Sequence, residues 1–198
     1  MRRDLQRALR MALVTLILTG ILYPLAVTGL ARLFFPWRAA GSLIRIDGRT
    51  VGSELIGQRF TRPEYFQGRP SAAGSEGYDA EASSGSNLGV TSQELHDRVA
   101  ADVARLQREN PQAPGAAPEE LVTASASGLD PHLSPAAALW QAPRVAAARG
   151  APVGEIESLI RERTEPRTWR FLGEPRLNVL LLNLALDERY GRLSKQTR

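Results

Sequence analysis

MALVTLILTGILYPLAVTGLA, residues 11–31, carries no charged side chain. Coiled as a helix, such a run is roughly 30 Å long, enough to cross the hydrocarbon core of a bilayer. Pro24 lies inside it, which membrane helices tolerate, often as a kink. Tyr23, Phe34, Phe35 and Trp37 add aromatic weight toward its far end, as at a membrane–water interface. A cleaved signal peptide has an apolar core of about 7–15 residues followed by a small-x-small site. This run is longer and reaches Arg32 without such a site. It reads as an uncleaved transmembrane anchor over residues 11–35.

The chain has 198 residues, a net charge of +4 and a pI near 10.1. A basic protein invites a nucleic-acid reading, so the position of the charge decides. Arg2, Arg3, Arg7, Arg10, Arg32 and Arg38 flank the apolar run, against one acid, Asp4. Removing those six and one from 25 basic and 21 acidic residues leaves 19 and 20, a net of −1. The basicity belongs to the membrane flanks, and the remainder has no footprint for DNA or RNA. Arg59, Arg62 and Arg69, interleaved with Phe60, Tyr65 and Phe66, are therefore not read as a nucleic-acid patch. Lys195 is the sole lysine, which reads as coding bias. Positive charge is denser before the run than after it, so the positive-inside rule puts residues 1–10 in the cytoplasm and residues 36–198 outside. With no cysteine, disulfides and thiol chemistry are excluded.

Beyond the anchor, Ser42–Ile46 and Thr50–Gly52 flank Asp47-Gly48, a strong hairpin signal. Residues 57–88 are rich in Gly, Ser and Pro without a helical or alternating period, yet their aromatics argue for order. A helix follows, capped by Thr91 or Ser92, with Leu95, Val99, Val103 and Leu106 as its buried stripe. Asn110-Pro111 stops it, and residues 112–118 form a Pro/Ala/Gly linker. Residues 121–123 suggest a short buried strand. Ser134-Pro135 opens the next helix, which Pro143 should kink or interrupt. Pro152 starts another, with Val153, Ile156, Leu159 and Ile160 on one face. Residues 177–187 read as the central apolar helix. The fold class is α+β, one transmembrane helix followed by a compact extracytoplasmic domain with a short sheet and about four helices.

Catalytic motifs are absent: there is no Walker loop, GxGxxG, HExxH or GxSxG. The only histidines are His96 and His132. Asp130-Pro131-His132 reads as a turn before a metal site. Ser127, Asp130 and His132 lie too close along the chain for a relay whose members come from separate elements. Ser83, Ser84, Gly85, Ser86 and Asn87 offer hydroxyls, amide oxygens and backbone carbonyls, the donors a weakly held alkali cation prefers. The plainer reading is a tight loop that satisfies its own backbone.

Four segments together resemble the KdpC family, accessory components of potassium-importing P-type ATPases. They are GSLI (41–44) leading into VGSELIGQRF (51–60); YFQGRPSAAG (65–74) with ASSGSNLG (82–89); VTASASGLDPHLSPAAALWQAPRVAAARG (122–150); and LGEPRLNVLLLNLALD (172–187). The motif residues include Arg69, Pro70, Asp130, Pro131, His132, Ser134, Pro135, Gln141 and Arg144. The resemblance covers nearly all of the exported region, in order. It implies a bacterial inner-membrane protein with a single span and a periplasmic domain. It also implies a complex with a pore-forming potassium subunit, a P-type ATPase catalytic subunit and a small single-span subunit, set in membrane lipid and binding no nucleic acid. Together these import K⁺ using ATP. ATP and K⁺ would be handled through the complex, with no cofactor bound directly and no enzyme activity in this chain. The family is described as a catalytic chaperone that raises the pump subunit's affinity for ATP. The positive-inside argument leaves only residues 1–10 on the side where ATP is found, so any such effect would pass indirectly through the pore subunit. Alternatives from other classes are a membrane-anchored periplasmic serine hydrolase using Ser127 or Ser84, and a generic single-span assembly module.

Overall fold

A computed structural model describes residues 1–192; residues 193–198, Lys195 among them, lie outside the described residues. The chain divides into two compact units, Met1–Ser53 and a second from Glu54 onward.

In the first unit one continuous helix covers Arg2–Phe34 and is long and apolar enough, by length and composition, to cross a membrane. It consists of α1 (Arg2–Ile17), a π-helical turn (Leu18–Leu22) and α2 (Tyr23–Phe34). The π turn lies just before Pro24, whose missing N–H cannot serve the carbonyl of Gly20, and wider turns of this kind absorb such a break in the ladder. Thr19 Oγ donates to the Thr15 carbonyl at 2.8 Å in the same turn. A short helix α3 (Pro36–Ala39) follows. The hairpin then forms as the Asp-Gly signal requires. β1 (Leu43–Ile46) pairs antiparallel with β2 (Arg49–Ser53), with a bulge where Ile44 faces Gly52 and Arg45 faces Thr50. Asp47 and Gly48 have φ of 51° and 76°, the left-handed pair that a tight hairpin turn demands.

The second unit has four α-helices among the described residues. α4 (Gln93–Glu109) is capped by Ser92, whose Oγ accepts from the Leu95 N–H. α5 (Pro135–Arg149) is capped by Ser134, whose Oγ accepts from the Ala137 N–H, and ends at Gly150 in the left-handed region. α6 (Val153–Arg163) and α7 (Val179–Tyr190) complete the set. α5 packs on α6, and α6 on α7. Their shared core holds Leu133, Trp140, Val145, Ile156, Ile160, Leu177, Leu182 and Leu186, and Phe66 enters it from the long loop.

Several expectations need correction. Of the kink or interruption expected at Pro143, the interruption does not occur: the helix continues through it. Residues 121–123 are not a strand. Glu119–Leu121 is a 3₁₀ turn, and Thr123 N–H and Oγ both donate to the Glu119 carbonyl. Leu121 and Val122 are buried as expected, but burial of a short apolar run does not choose between strand and turn. In α6, Ile156, Leu159 and Ile160 are buried, while Val153, its first residue, is 37% exposed. In α4 only Leu106 of the four stripe residues is fully buried. The last helix begins at Val179: Leu177–Asn178 is instead a strand, β4, antiparallel to β3 (His132–Leu133), and Asn178 Oδ1 caps α7 at the Leu181 N–H. Among the described residues there are thus two small ladders, not one sheet. Residues 57–88 have no regular secondary structure, yet Phe66 and Ala73 within them are fully buried.

Candidate functional site

A long irregular segment must place its backbone polar groups somewhere, and here helix side chains take them. Gln141 Oε1 accepts from the Gln67 N–H at 2.9 Å, and its Nε2 donates to the Gln67 carbonyl at 3.1 Å. Asn183 makes the same pair of bonds with Phe66. Arg144 donates to the carbonyls of Pro63 and Tyr65, to Asn110 Oδ1 at 2.8 Å and to Gln141 Oε1 at 2.7 Å. Arg149 donates to the Glu64 carbonyl and to Asp187, which also accepts from the Tyr65 hydroxyl. α5 and α7 thereby hold residues 63–67 as a sheet would hold a strand. Two clamp residues, Gln141 and Arg144, were singled out by the sequence reading. Asn110, Arg149, Asn183 and Asp187 were not, although an asparagine inside the apolar run LNVLLLNLALD was a visible signal.

Arg144 is nearly buried, and the four oxygens that accept from it are all neutral. Burial pushes its guanidinium down to about 10, against the opposing pull of Glu109 and Glu64. It stays charged at neutral pH.

The clamped segment continues into loops that gather the remaining motif residues. Arg69 pairs with Asp130 at 3.2 Å. Asp130 Oδ1 accepts from the His132 N–H at 3.0 Å, and the imidazole Nδ1 lies 3.5 Å away. Hydrogen bonding from His132 and the charge of Arg69 hold the Asp130 carboxyl below its ordinary pKa, against desolvation. Pro131 places its carbonyl on the Val179 N–H. Ser134 donates to Glu120 as well as capping α5, with Pro135 as that helix's first residue. Pro70 lies beside Arg69 in the wall of a cavity of about 400 Å³ that Arg59, Tyr78, Arg105 and Glu109 also line.

The serine loop meets the 125–128 loop directly. Ser84 N–H and Ser83 Oγ both donate to the Ser127 carbonyl, at 3.0 and 2.9 Å. Ser84 Oγ donates to the Gly85 carbonyl. Gly128, at φ 66°, leaves no room for a side chain: a Cβ there would lie 2.6 Å from the Ser84 carbonyl oxygen. Ser71 Oγ ties the loops together, donating to the Gly128 carbonyl and accepting from the Ala73 and Tyr78 N–H groups. Asn87 adopts φ 52°, and Ser86 is half-buried. These contacts are what a loop satisfying its own backbone makes.

Ser127 Oγ accepts from the Leu129 N–H, and among the described residues no hydrogen bond joins Ser127 or Ser84 to His132. A nucleophile within hydrogen-bond reach of its base is the signature of covalent hydrolysis. Ser125, Ser127, Asp130 and Pro131 line an open cleft with Leu55, Ile56 and Leu129. The structure therefore brings the 69–71, 83–87 and 125–132 motifs onto one surface, while Gln141 and Arg144 lie beneath, in the framework.

Comparisons with known proteins cover nearly the whole chain. The profile of the KdpC family, described as the c chain of the K⁺-transporting ATPase, matches residues 5–188. A potassium-transporting ATPase KdpC subunit of Myxococcus xanthus is 63% identical over 187 residues, covering 94% of this chain and 88% of its own. The subunit of that name from Rhodospirillum rubrum is 54% identical over 190 residues, 96% of this chain and 98% of its own. That from Methylobacterium nodulans is 50% identical over 203 residues, covering 97% of this chain and all of its own. With the match running from the apolar helix through α7, this chain belongs to the KdpC family of K⁺-transporting ATPase subunits.

Proposed function

We propose that the chain is a non-catalytic accessory subunit of an ATP-driven potassium importer, anchored in the bacterial inner membrane by its single N-terminal helix. Residues 1–10 are cytoplasmic and the domain is periplasmic. ATP hydrolysis resides in a partner, and the pore-forming subunit binds the span and the loop surface of residues 57–88. The family match over residues 5–188, which takes in both the apolar helix and the folded domain, carries this reading. The clamp supports it further: buried polar side chains spend their hydrogen bonds on holding a loop surface, and the serines on that surface bond to backbone. A rigid, preorganised surface binds a partner at lower entropic cost than a mobile one. Any rise in the pump's affinity for ATP follows indirectly, through the pore subunit, because the positive-inside rule puts the domain opposite the nucleotide.

The absence of cysteine makes the orientation testable. Ser75, in an exposed loop, is replaced by cysteine and intact spheroplasts are treated with a membrane-impermeant maleimide. Labelling without lysis is the expected result. Labelling only after lysis would place the domain with the nucleotide and make a direct effect on ATP binding the leading mechanism.

A further inference from the structure

Between α6 and β4 the chain makes a second hairpin that no regular strand announces. Glu165 and Arg176 exchange backbone hydrogen bonds at 2.8 and 3.1 Å, and Thr168 and Leu172 exchange theirs at 2.9 and 3.0 Å. Three residues close the tip: Trp169, Arg170 and Phe171. Trp169 and Arg170 have φ of 51° and 72°. Side chains with a Cβ disfavour that region, bulky ones most, and such outliers persist where the surroundings over-determine them, often at functional positions. The consequence is exposure. Trp169 is 77% exposed and Phe171 68%, and their rings lie 6.4 Å apart. Leu172 is exposed beside them.

The charges at the tip have a sign. On the hairpin's sides Arg167 pairs with Glu174, and Arg176 with Glu165. Arg170, between the two aromatics, has no ion-pair partner among the described residues. An indole, a phenyl ring and an unpaired guanidinium on one small protrusion match the bilayer interface. Aromatic rings settle there at headgroup level, and cations are drawn to anionic lipid. A chain that carries its own span presents such a protrusion to lipid at high effective concentration, so a weak contact suffices.

We infer that the Trp169–Phe171 tip is a second membrane contact, which inserts its aromatics into the headgroup region of an anionic bilayer and sets Arg170 against lipid phosphate. It rests on the reading of the N-terminal helix as the membrane anchor.

The test uses the full chain in nanodiscs. The protein has three tryptophans; Trp140 is in the core, and Trp37→Phe removes the one beside the span. In discs of phosphatidylglycerol brominated on the upper acyl chain, the Trp169 emission should fall about twofold relative to unbrominated discs. Trp169→Phe should abolish the quenchable component. Arg170→Glu should weaken quenching in anionic discs more than in phosphatidylcholine discs. An unchanged thermal midpoint shows that each variant is folded. A chain that incorporates into discs but shows the unquenched, red emission of a water-exposed indole overturns the inference and leaves the anchor intact. So does shielding of Trp169 that occurs only when the other pump subunits are added, since the tip would then be a protein contact. Failure to incorporate at all would overturn the anchor reading itself.

Discussion

Asn183 and Phe66 hold each other through two hydrogen bonds: the Phe66 N–H donates to Asn183 Oδ1 at 2.8 Å, and Asn183 Nδ2 donates to the Phe66 carbonyl at 2.9 Å. Both residues are buried, at 1% and 0% exposure. The amide thus supplies the pairing that a neighbouring strand would otherwise give, at the point where the long loop plunges its one fully buried aromatic into the helical core.

Asn183→Leu keeps the branched shape but leaves a buried N–H and C=O without partners. The expected loss is about 3 kcal/mol, since each orphaned buried group costs roughly 1–3 kcal/mol. Thermal unfolding of the full chain in detergent reads it. A shift no larger than that of an exposed control, such as Glu94→Gln, would show that the pairing contributes nothing net.

Arg144→Met removes the donor that joins Asn110, Gln141 and the carbonyls of Pro63 and Tyr65. Losing a hub of this kind should cost about 3 kcal/mol or more. Arg144→Lys should recover little of it, because a lysine ammonium cannot reproduce the planar fork. Equal stability of the lysine variant and the native chain would mean that charge, not geometry, is what the cluster needs.

Glycine positions in the loop surface separate sharply. Gly128→Ala should cost more than about 2 kcal/mol, because it combines φ 66° with Cβ approaches of 2.6 Å to the Ser84 carbonyl oxygen and 2.7 Å to the Ala73 nitrogen. Gly85→Ala meets the Ala126 carbonyl oxygen at 3.0 Å without a positive φ and should cost less. Gly89→Ala meets nothing within 4 Å and should be neutral or slightly stabilising. Chemical denaturation of the three variants ranks them, and a reversed order would contradict this packing of the loops.

Asp130 carries the one acid-linked prediction. Its folded pKa is depressed by hydrogen bonding to His132 and by the charge of Arg69, so the folded state releases its proton more readily than the unfolded chain. Its contribution to stability is therefore complete above the ordinary carboxylate pKa of about 3.9 and disappears as pH falls below that, through the depressed folded value. The stability gap between the native chain and Asp130→Asn should be present at about pH 5 and shrink below about 4. A gap that persists unchanged into strong acid would show that the carboxylate's charge is irrelevant.

Much of this chain was legible without coordinates, for local reasons. The charge-free run 11–31, the Asp47-Gly48 turn, the Ser92 and Ser134 caps and the Gly150 stop each depend on residues within a few positions of one another. Family membership was legible too, through motifs spread over residues 41–187. The same locality explains the misses. Pro143 breaks a helix only if surrounding packing cannot compensate for the missing N–H; here Ala142, Val145 and Ala146 are buried and the helix continues. A two-residue strand such as Leu177–Asn178 has no period of its own and exists because His132–Leu133, more than forty residues away, lies alongside it.

What the amino-acid order determined alone was therefore the long apolar helix, the other helices and the turns, whose preferences are set by covalent geometry and nearest neighbours. Tertiary structure decided which polar residues are framework and which are surface. Gln141 and Arg144 looked like neighbours in a motif with Asp130 and His132, but folding buried the first pair against residues 63–67 and left the second pair half-exposed beside the serine loops. That partition depends on contacts between residues 74 to 117 positions apart, which no local propensity encodes.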